Sequence, residues 1–406
     1  MTLSFNSREL SQNPYPIYAE LRANQPVAPF ALPASMPGNG LLVTRYEDVL
    51  TVLKDPRFSN ERAKIMPARK PSKINVMPSV LNALMNSMVM VDDPRHARLR
   101  TLIHKVFTPS MIQQMQGRIE VITDELLCEI TKKPVADLIA DFALPLPLTV
   151  ISDMMGVPHK DRKKFHHMLQ GFLNASSHSG LRGQLGQLTS AFGLHRFLKE
   201  LIAQHIKTPQ NDLTSALVEA EEQGDKLSQD ELVAMLLLLL LAGHETTVNL
   251  IGNGTLALLE HPVQFEKLKS NPSLLDSAIE EMLRFTNPVQ QVAQRYALED
   301  VKLNDWVITK GSTIMVGIAS ANRDESVFVN ADQFDIARKP NPHLAFGFGI
   351  HYCLGAPLAR LEARVAFSAL IKRFPNLALA ANSSELEWSG NVALHGLKRL
   401  PIWLGE

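Results

Sequence analysis

The stretch Phe346-Gly347-Phe348-Gly349-Ile350-His351-Tyr352-Cys353-Leu354-Gly355 puts one cysteine at the end of a glycine-rich loop, and the residues directly after it, Ala356 to Phe374, carry the apolar spacing of a helix. A cysteine at a helix N-terminus feels the positive end of the helix dipole and free backbone N–H groups, which favour thiolate over thiol. A thiolate is a soft anionic metal ligand. The glycines let the backbone approach a flat cofactor closely and turn N–H groups toward the sulfur, and Phe346 is placed to pack against a ring face. Taken alone, a lone cysteine is more often a small buried apolar side chain than a ligand; the residues around Cys353 reverse that. Cys128, inside the helical run Thr123 to Ile130, has no such setting and is read as a packing residue.

A second stretch departs from ordinary core patterning. The helix expected from Ser228 to Leu259 contains Leu236 to Leu241, then Ala242-Gly243-His244-Glu245-Thr246-Thr247. Long apolar helices usually just form the core. Here a small pair is followed at once by an acid and two threonines. Ala242 and Gly243 leave space beside the helix, and a Thr side chain can draw away a local hydrogen bond and help open a groove, room enough for a diatomic ligand. His244 is expected to face solvent or neighbouring polar groups.

Together the two stretches closely resemble the cytochrome P450 family. Its Phe-x-x-Gly-x-x-x-Cys-x-Gly loop is matched by Phe346, Gly349, Cys353 and Gly355, and its Ala/Gly-Gly-x-Asp/Glu-Thr motif by Ala242, Gly243, Glu245 and Thr246. The resemblance implies haem b (iron protoporphyrin IX), with Cys353 as the protein ligand of the iron and Ala242, Gly243, Phe346 and Gly355 beside the cofactor. It also implies that Thr246, through an ordered water, delivers protons to the oxygen chemistry and that Glu245 relays them from solvent. O–O cleavage needs this, because the electron push of the thiolate is completed by protonation.

Haem carries two carboxylates that need cationic or N–H partners. His96 and Arg100, four apart and so on one helix face, Arg295 and His351 would each pass alone for a scattered surface cation; the resemblance carries carboxylate binding onto all four. Glu281 and Arg284, three apart, would alone mean a surface ion pair; the family's Glu-x-x-Arg pair in this place implies a structural role behind the cysteine loop. In one respect the chain departs from the family. Where Pro-x-Arg-Phe is common, it has Ala331-Asp332-Gln333-Phe334, so the pair's usual third partner is replaced by Gln333. The match runs from Asn13-Pro14-Tyr15 to the segment Gly396 to Pro401.

The expected fold class is mainly α with a minor β portion, a cytochrome P450 fold formed as one large domain, 1–406, around one haem. Helical spacing covers Pro14 to Asn24, Pro109 to Thr131, Leu194 to Ile206, Ser228 to Leu259, Leu274 to Phe285 and Ala356 to Phe374. Strand-like alternation is confined to Gly40 to Thr44, Val292 to Ala297, Thr313 to Gly317 and Leu397 to Leu404. No repeat or Gly/Ser linker divides the chain. Arg62 to Met88 and Asn174 to Gly186 read as loops, each a candidate lid or a tolerated surface loop. With 45% hydrophobic and 20% charged residues, the 406-residue chain is an ordinary folded protein.

Lys plus Arg equals Asp plus Glu, 41 each, so no overall field would draw the chain to nucleic acid or an anionic membrane. Two cysteines do not make a disulfide framework. Met1 to Pro16 has no signal pattern, and the apolar run Leu236 to Ala242 is far short of the roughly 20 residues of a membrane span. The expectation is a cytoplasmic monomer without a membrane or nucleic-acid partner, the monomer following from the family.

By resemblance the substrate pocket draws on Val89 in the Met85–Val91 loop, Leu238, Val289, Val292 and Leu394, all apolar, which implies a small organic substrate with much hydrocarbon surface. No dinucleotide fingerprint, flavin or iron–sulfur segment is present. Electrons are therefore expected from a separate ferredoxin or flavodoxin with its NAD(P)H reductase, docking near Arg98, Lys105, Arg360 and Arg364. The leading reading is a haem-thiolate monooxygenase that hydroxylates or epoxidises its substrate, favoured by Glu245 and Thr246. The alternatives are a peroxide-driven or non-oxygenase haem-thiolate enzyme and a non-catalytic haem sensor or electron carrier.

Overall fold

The computed structural model describes the chain apart from residues 1–2, 5–7, 34–35, 37, 67–78, 175–180, 223, 390–391 and 406. It is mainly helical with a minor sheet portion, as the hydrophobic periodicity predicts. Its residues pack as two compact units, Met1–Pro67 with Met115–Pro147 and Glu245–Glu406, and Ala68–Gln114 with Leu148–His244.

The first unit is built on a six-stranded sheet in the order Leu3–Ser4, Val27–Ala31, Gly40–Val43, Thr313–Gly317, Gln291–Ala297, Phe58–Ser59. Thr313–Gly317 is buried at every position. A strand covered on both faces needs a continuous apolar run rather than alternation, which Ile314-Met315-Val316 supplies. One face packs Val43, Ile314 and Val316 with Val49, Val52 and Phe328. The helices of this unit include Tyr15–Asn24, Tyr46–Lys54, Gln116–Ile130, Leu275–Thr286 and Ala356–Arg373. Of the last expected strand, only Pro401–Trp403 is a strand, preceded by a bridge from Leu397 to Trp388.

The described elements of the second unit are helices and a short hairpin, Glu221–Glu222 with Asp225–Lys226. The expected Leu194 to Ile206 helix is the second half of a longer one, Leu181–Lys207. Its apolar stripe, Leu194, Leu198, Leu201 and Ile202, packs on Arg162–Asn174, with the Phe165 and Phe197 rings 5.2 Å apart. Gly183, Gly186 and Gly193 dilute that stripe upstream, which made the first half read as loop. Of the two candidate lids, 67–78 and 175–180 lie outside the described residues, while Ser79–Met85 and Leu181–Gly186 are helical. The expected Pro109 to Thr131 helix is two, Pro109–Gln114 and Gln116–Ile130, interrupted at Met115.

The Gln229–Glu260 helix, by length and composition, is long and apolar enough to cross a membrane, which the uninterrupted run alone had understated. In its most apolar window 61% is buried within the protein, and a core helix passes the same test.

Candidate active site

The cysteine loop is shaped by two left-handed glycines, Gly347 at φ 69° and Gly349 at φ 73°, a conformation other residues adopt only with strain. A Cβ on Gly349 would also stand 2.9 Å from the Leu53 carbonyl oxygen. After the turn Gly349–His351, the Cys353 N–H donates to the Phe346 carbonyl at 2.9 Å, which ties the loop's ends together. Gly355 then caps the Ala356–Arg373 helix, whose first turn holds Pro357. Cys353 thus sits exposed before a helix N-terminus, the setting that favours its thiolate.

Those residues fit a haem. A porphyrin brings four nitrogen ligands with its iron, so the single thiolate of Cys353 suffices as the protein's ligand. Tyr352, Phe348 and Ile350 are exposed beside it, and a Cβ on Gly355 would come only to 3.9 Å from the Cys353 sulfur, leaving that flank open.

Behind the loop stand two carboxylates in succession. Glu281 accepts from Arg284 Nε and Nη2, both at 2.8 Å, with neither side chain exposed. Its third partner is Arg338, whose Nε lies 3.1 Å from both oxygens. This corrects the expectation built on Gln333: that residue contributes its carbonyl oxygen, to Arg284 at 3.0 Å and Arg338 at 2.9 Å, while the missing guanidinium comes from five residues further on. Glu280 turns the other way, accepting twice from Arg360 at 2.7 Å and once from His343 Nε2 at 2.9 Å. Burial would raise its carboxyl, but the Arg360 and His343 hydrogen bonds hold it at about 2. The Arg360 guanidinium lies 4.5 Å from the centre of the Phe346 ring. The sequence reading missed Glu280, Arg338 and His343; the doublet Glu280-Glu281 was the one available signal.

On the long helix, Ala242 is exposed and Gly243, Glu245 and Thr246 are half-buried, although Leu232–Leu237 and Thr247–Leu258 are buried. Packing does not explain Gly243: the nearest atom to an added Cβ would be Ile151 Cδ1 at 3.9 Å. Elsewhere on the helix it does, since a Cβ would meet Ile139 at 2.4 Å from Gly252 and Phe367 at 2.8 Å from Gly254. The space beside Gly243 is therefore available to a ligand. Burial raises the Glu245 carboxyl above its usual range, toward a proton it can both hold and release. His244, expected to face solvent or neighbouring polar groups, is buried, with Nδ1 donating to the Leu240 carbonyl at 2.8 Å, and burial lowers its pKa.

The four cations expected on the haem carboxylates occur two in each unit. His96 and Arg100 lie on the Arg95–Val106 helix: His96 is 2% exposed and 3.3 Å from Asp93, with its pKa lowered mainly by burial, and Arg100 donates to His104 at 3.1 Å. In the first unit Arg295 is 3% exposed on Gln291–Ala297, opposite Ile314, and His351 closes the turn before Cys353. The five expected substrate contacts, Val89, Leu238, Val289, Val292 and Leu394, are all half-buried, and an antiparallel bridge joins Val289 to Leu394.

Arg98, Lys105, Arg360 and Arg364, near which a redox partner is expected to dock, each hold a partner within the protein: Arg98 binds the carboxylates of Asp225 and Glu231, Lys105 the Glu221 carbonyl, Arg360 Glu280 and Arg364 Asp276. Cys128 is exposed rather than packed, and its sulfur accepts from Arg373 Nη2 at 3.2 Å, because this position of its helix meets the end of Ala356–Arg373.

An exposed cysteine before a helix N-terminus, a glycine-shaped loop and a long helix carrying a small pair followed by an acid and a threonine are the features a haem-thiolate protein presents. Residues 62–384 match the family model described as Cytochrome P450. The chain is 42% identical over 404 residues to the polyketide biosynthesis cytochrome P450 PksS of Bacillus subtilis, covering 99% of this chain and 98% of that protein. It is 40% identical to the cytochrome P450 monooxygenase PikC of Streptomyces venezuelae, over 97% of this chain and 92% of that one. The solved structure of Bacillus subtilis PksS superposes with a TM-score of 0.91 at 40% identity, covering 99% of both chains. The chain belongs to the cytochrome P450 family and is a monooxygenase of that family, with the haem that the family implies.

Proposed function

We propose that this protein inserts one oxygen atom from dioxygen into a largely apolar small organic substrate, by hydroxylation or epoxidation, as one domain formed by 1–406 around a single haem b. The observation that carries the reading is the exposed Cys353 held before a helix N-terminus by a loop tied at the Phe346 carbonyl. A haem bound there would supply oxygen activation, helped by thiolate electron donation. His96, Arg100, Arg295 and His351 bind its carboxylates, Phe346 and Gly355 border the sulfur, and Ala242 and Gly243 give it room. Thr246 holds an ordered water at its hydroxyl, and Glu245, its carboxyl raised by burial, passes protons inward from solvent. Val89, Leu238, Val289, Val292 and Leu394 line the substrate pocket. The name of one relative, the polyketide biosynthesis cytochrome P450 PksS, supports a polyketide-type substrate.

The electrons come from a separate ferredoxin or flavodoxin with its NAD(P)H reductase, and the protein works as a cytoplasmic monomer, without membrane or nucleic-acid partner. The first test is the absorption spectrum of the reduced protein with carbon monoxide. Wild type should give the strongly red-shifted Soret band of a thiolate-ligated haem and Cys353→Ser should not; a haem-loaded wild type without the band would overturn the reading.

A further inference from the structure

Arg360 is one turn into the helix that begins behind Cys353. Both its Nε and Nη2 reach Glu280 at 2.7 Å, Nη1 donates to the Tyr352 hydroxyl at 3.4 Å, and its guanidinium stands 4.5 Å from the centre of the Phe346 ring. Glu280 is anchored in turn by His343 Nε2 at 2.9 Å, while His343 Nδ1 accepts from the Ala345 N–H at 3.2 Å, which fixes that imidazole with its proton on Nε2. The His343 and Tyr352 rings lie 6.2 and 6.3 Å from Phe346. The half-buried Phe346 ring is thereby flanked by Arg360, His343 and Tyr352, and its carbonyl holds the Cys353 N–H.

Arg360 and Glu280 are each about one-third exposed, at 32% and 31%. A pair that exposed adds little to stability, whereas a bidentate fork fixes a direction. We infer that Arg360 is a positioning residue for the cysteine loop: clamped by Glu280, it holds the Phe346 ring in place and so keeps the Cys353 thiolate as the ligand of the haem iron. This rests on the assignment of Cys353 as ligand.

The test compares haem-loaded wild type with Arg360→Met, Arg360→Lys, Glu280→Gln and the double variant Arg360→Met, Glu280→Gln, the last leaving no uncompensated charge if a single variant fails to fold. The readouts are the lifetime of the thiolate-type Soret band of the reduced carbon monoxide complex, the midpoint potential and the melting temperature. The clamp predicts that removing the cation and removing the anion act alike: both shorten the band's lifetime severalfold, the double variant is no worse than Arg360→Met, and Arg360→Lys recovers part of the loss through its remaining charge on the ring. A pure charge effect predicts midpoint shifts of opposite sign with an unchanged lifetime, and that result overturns the proposal. So does a lowered melting temperature with the band and its lifetime intact. A wild type lacking the band would instead overturn the ligand assignment.

Discussion

Glu281 and Arg284 face each other one helical turn apart with no exposure of either side chain, joined by two hydrogen bonds of 2.8 Å. Buried charges of this kind cost desolvation and are held by geometry. Glu281→Ala would strand Arg284 and is expected to destabilise the protein by about 3–5 kcal/mol. Arg338→Met, which leaves the inner pair intact, should cost distinctly less. Urea unfolding of both variants checks the order; equal losses would mean that Arg338 belongs to the inner pair.

Glu362 gives a pH dependence with a fixed sign. It is 2% exposed, its Oε2 has no hydrogen-bond partner among the described residues, and burial pushes its carboxyl up from 4.5 to about 8. Between those values the folded protein keeps a proton that the unfolded chain releases, so this group lowers stability progressively from pH 4.5 to about pH 8 and no further above it. The slope is on the order of 1 kcal/mol per pH unit at its steepest. Glu362→Gln, neutral and isosteric, should abolish that slope. Urea midpoints of both proteins at pH 6 and pH 8 measure it, and parallel losses would show that Glu362 is not the source.

Two glycines of the cysteine loop separate conformational strain from crowding. Gly347→Ala meets no atom nearer than 3.9 Å and carries only the cost of its positive φ, about 1 kcal/mol. Gly349→Ala adds a contact of 2.9 Å with the Leu53 backbone, which cannot give way cheaply. It should cost at least twice as much, read as the shift in urea midpoint.

On the long helix the same substitution should act differently at two sites. Gly254→Ala collides with Phe367 and Met282, at 2.8 and 2.9 Å, and should lower the stability of the apoprotein. Gly243→Ala has space in the protein itself and should leave apoprotein stability nearly unchanged while lowering haem affinity. Unfolding of the apoprotein and haem titration separate the two; equal haem affinity in wild type and Gly243→Ala would place the cofactor away from this residue.

Loss of proton delivery should appear as uncoupling. Thr246→Ala is expected to keep consuming reductant while releasing peroxide, with product per NAD(P)H down by roughly 10²-fold, the range of a general acid. Glu245→Gln should slow turnover and flatten its pH profile, since the burial-raised carboxyl is the group removed. Product and peroxide counted per electron decide this, and unchanged coupling in Thr246→Ala would remove the hydroxyl from the pathway.

The sequence by itself determined the features that live in short stretches. The cysteine with its glycines and following helix, the small pair before an acid and threonine, and most of the helices are local patterns, and local sterics and periodicity are enough to specify them. Tertiary structure alone decided which partners meet. Arg338 serves Glu281 from 57 residues away, and Arg360 serves Glu280 from 80. Cys128 is turned outward to Arg373, while His244 is turned inward to the Leu240 carbonyl. No spacing rule reaches such pairs, because a side chain's partner depends on the path of a distant loop. Whether a polar group is buried depends likewise on what covers it, and that is settled only when the whole chain has packed.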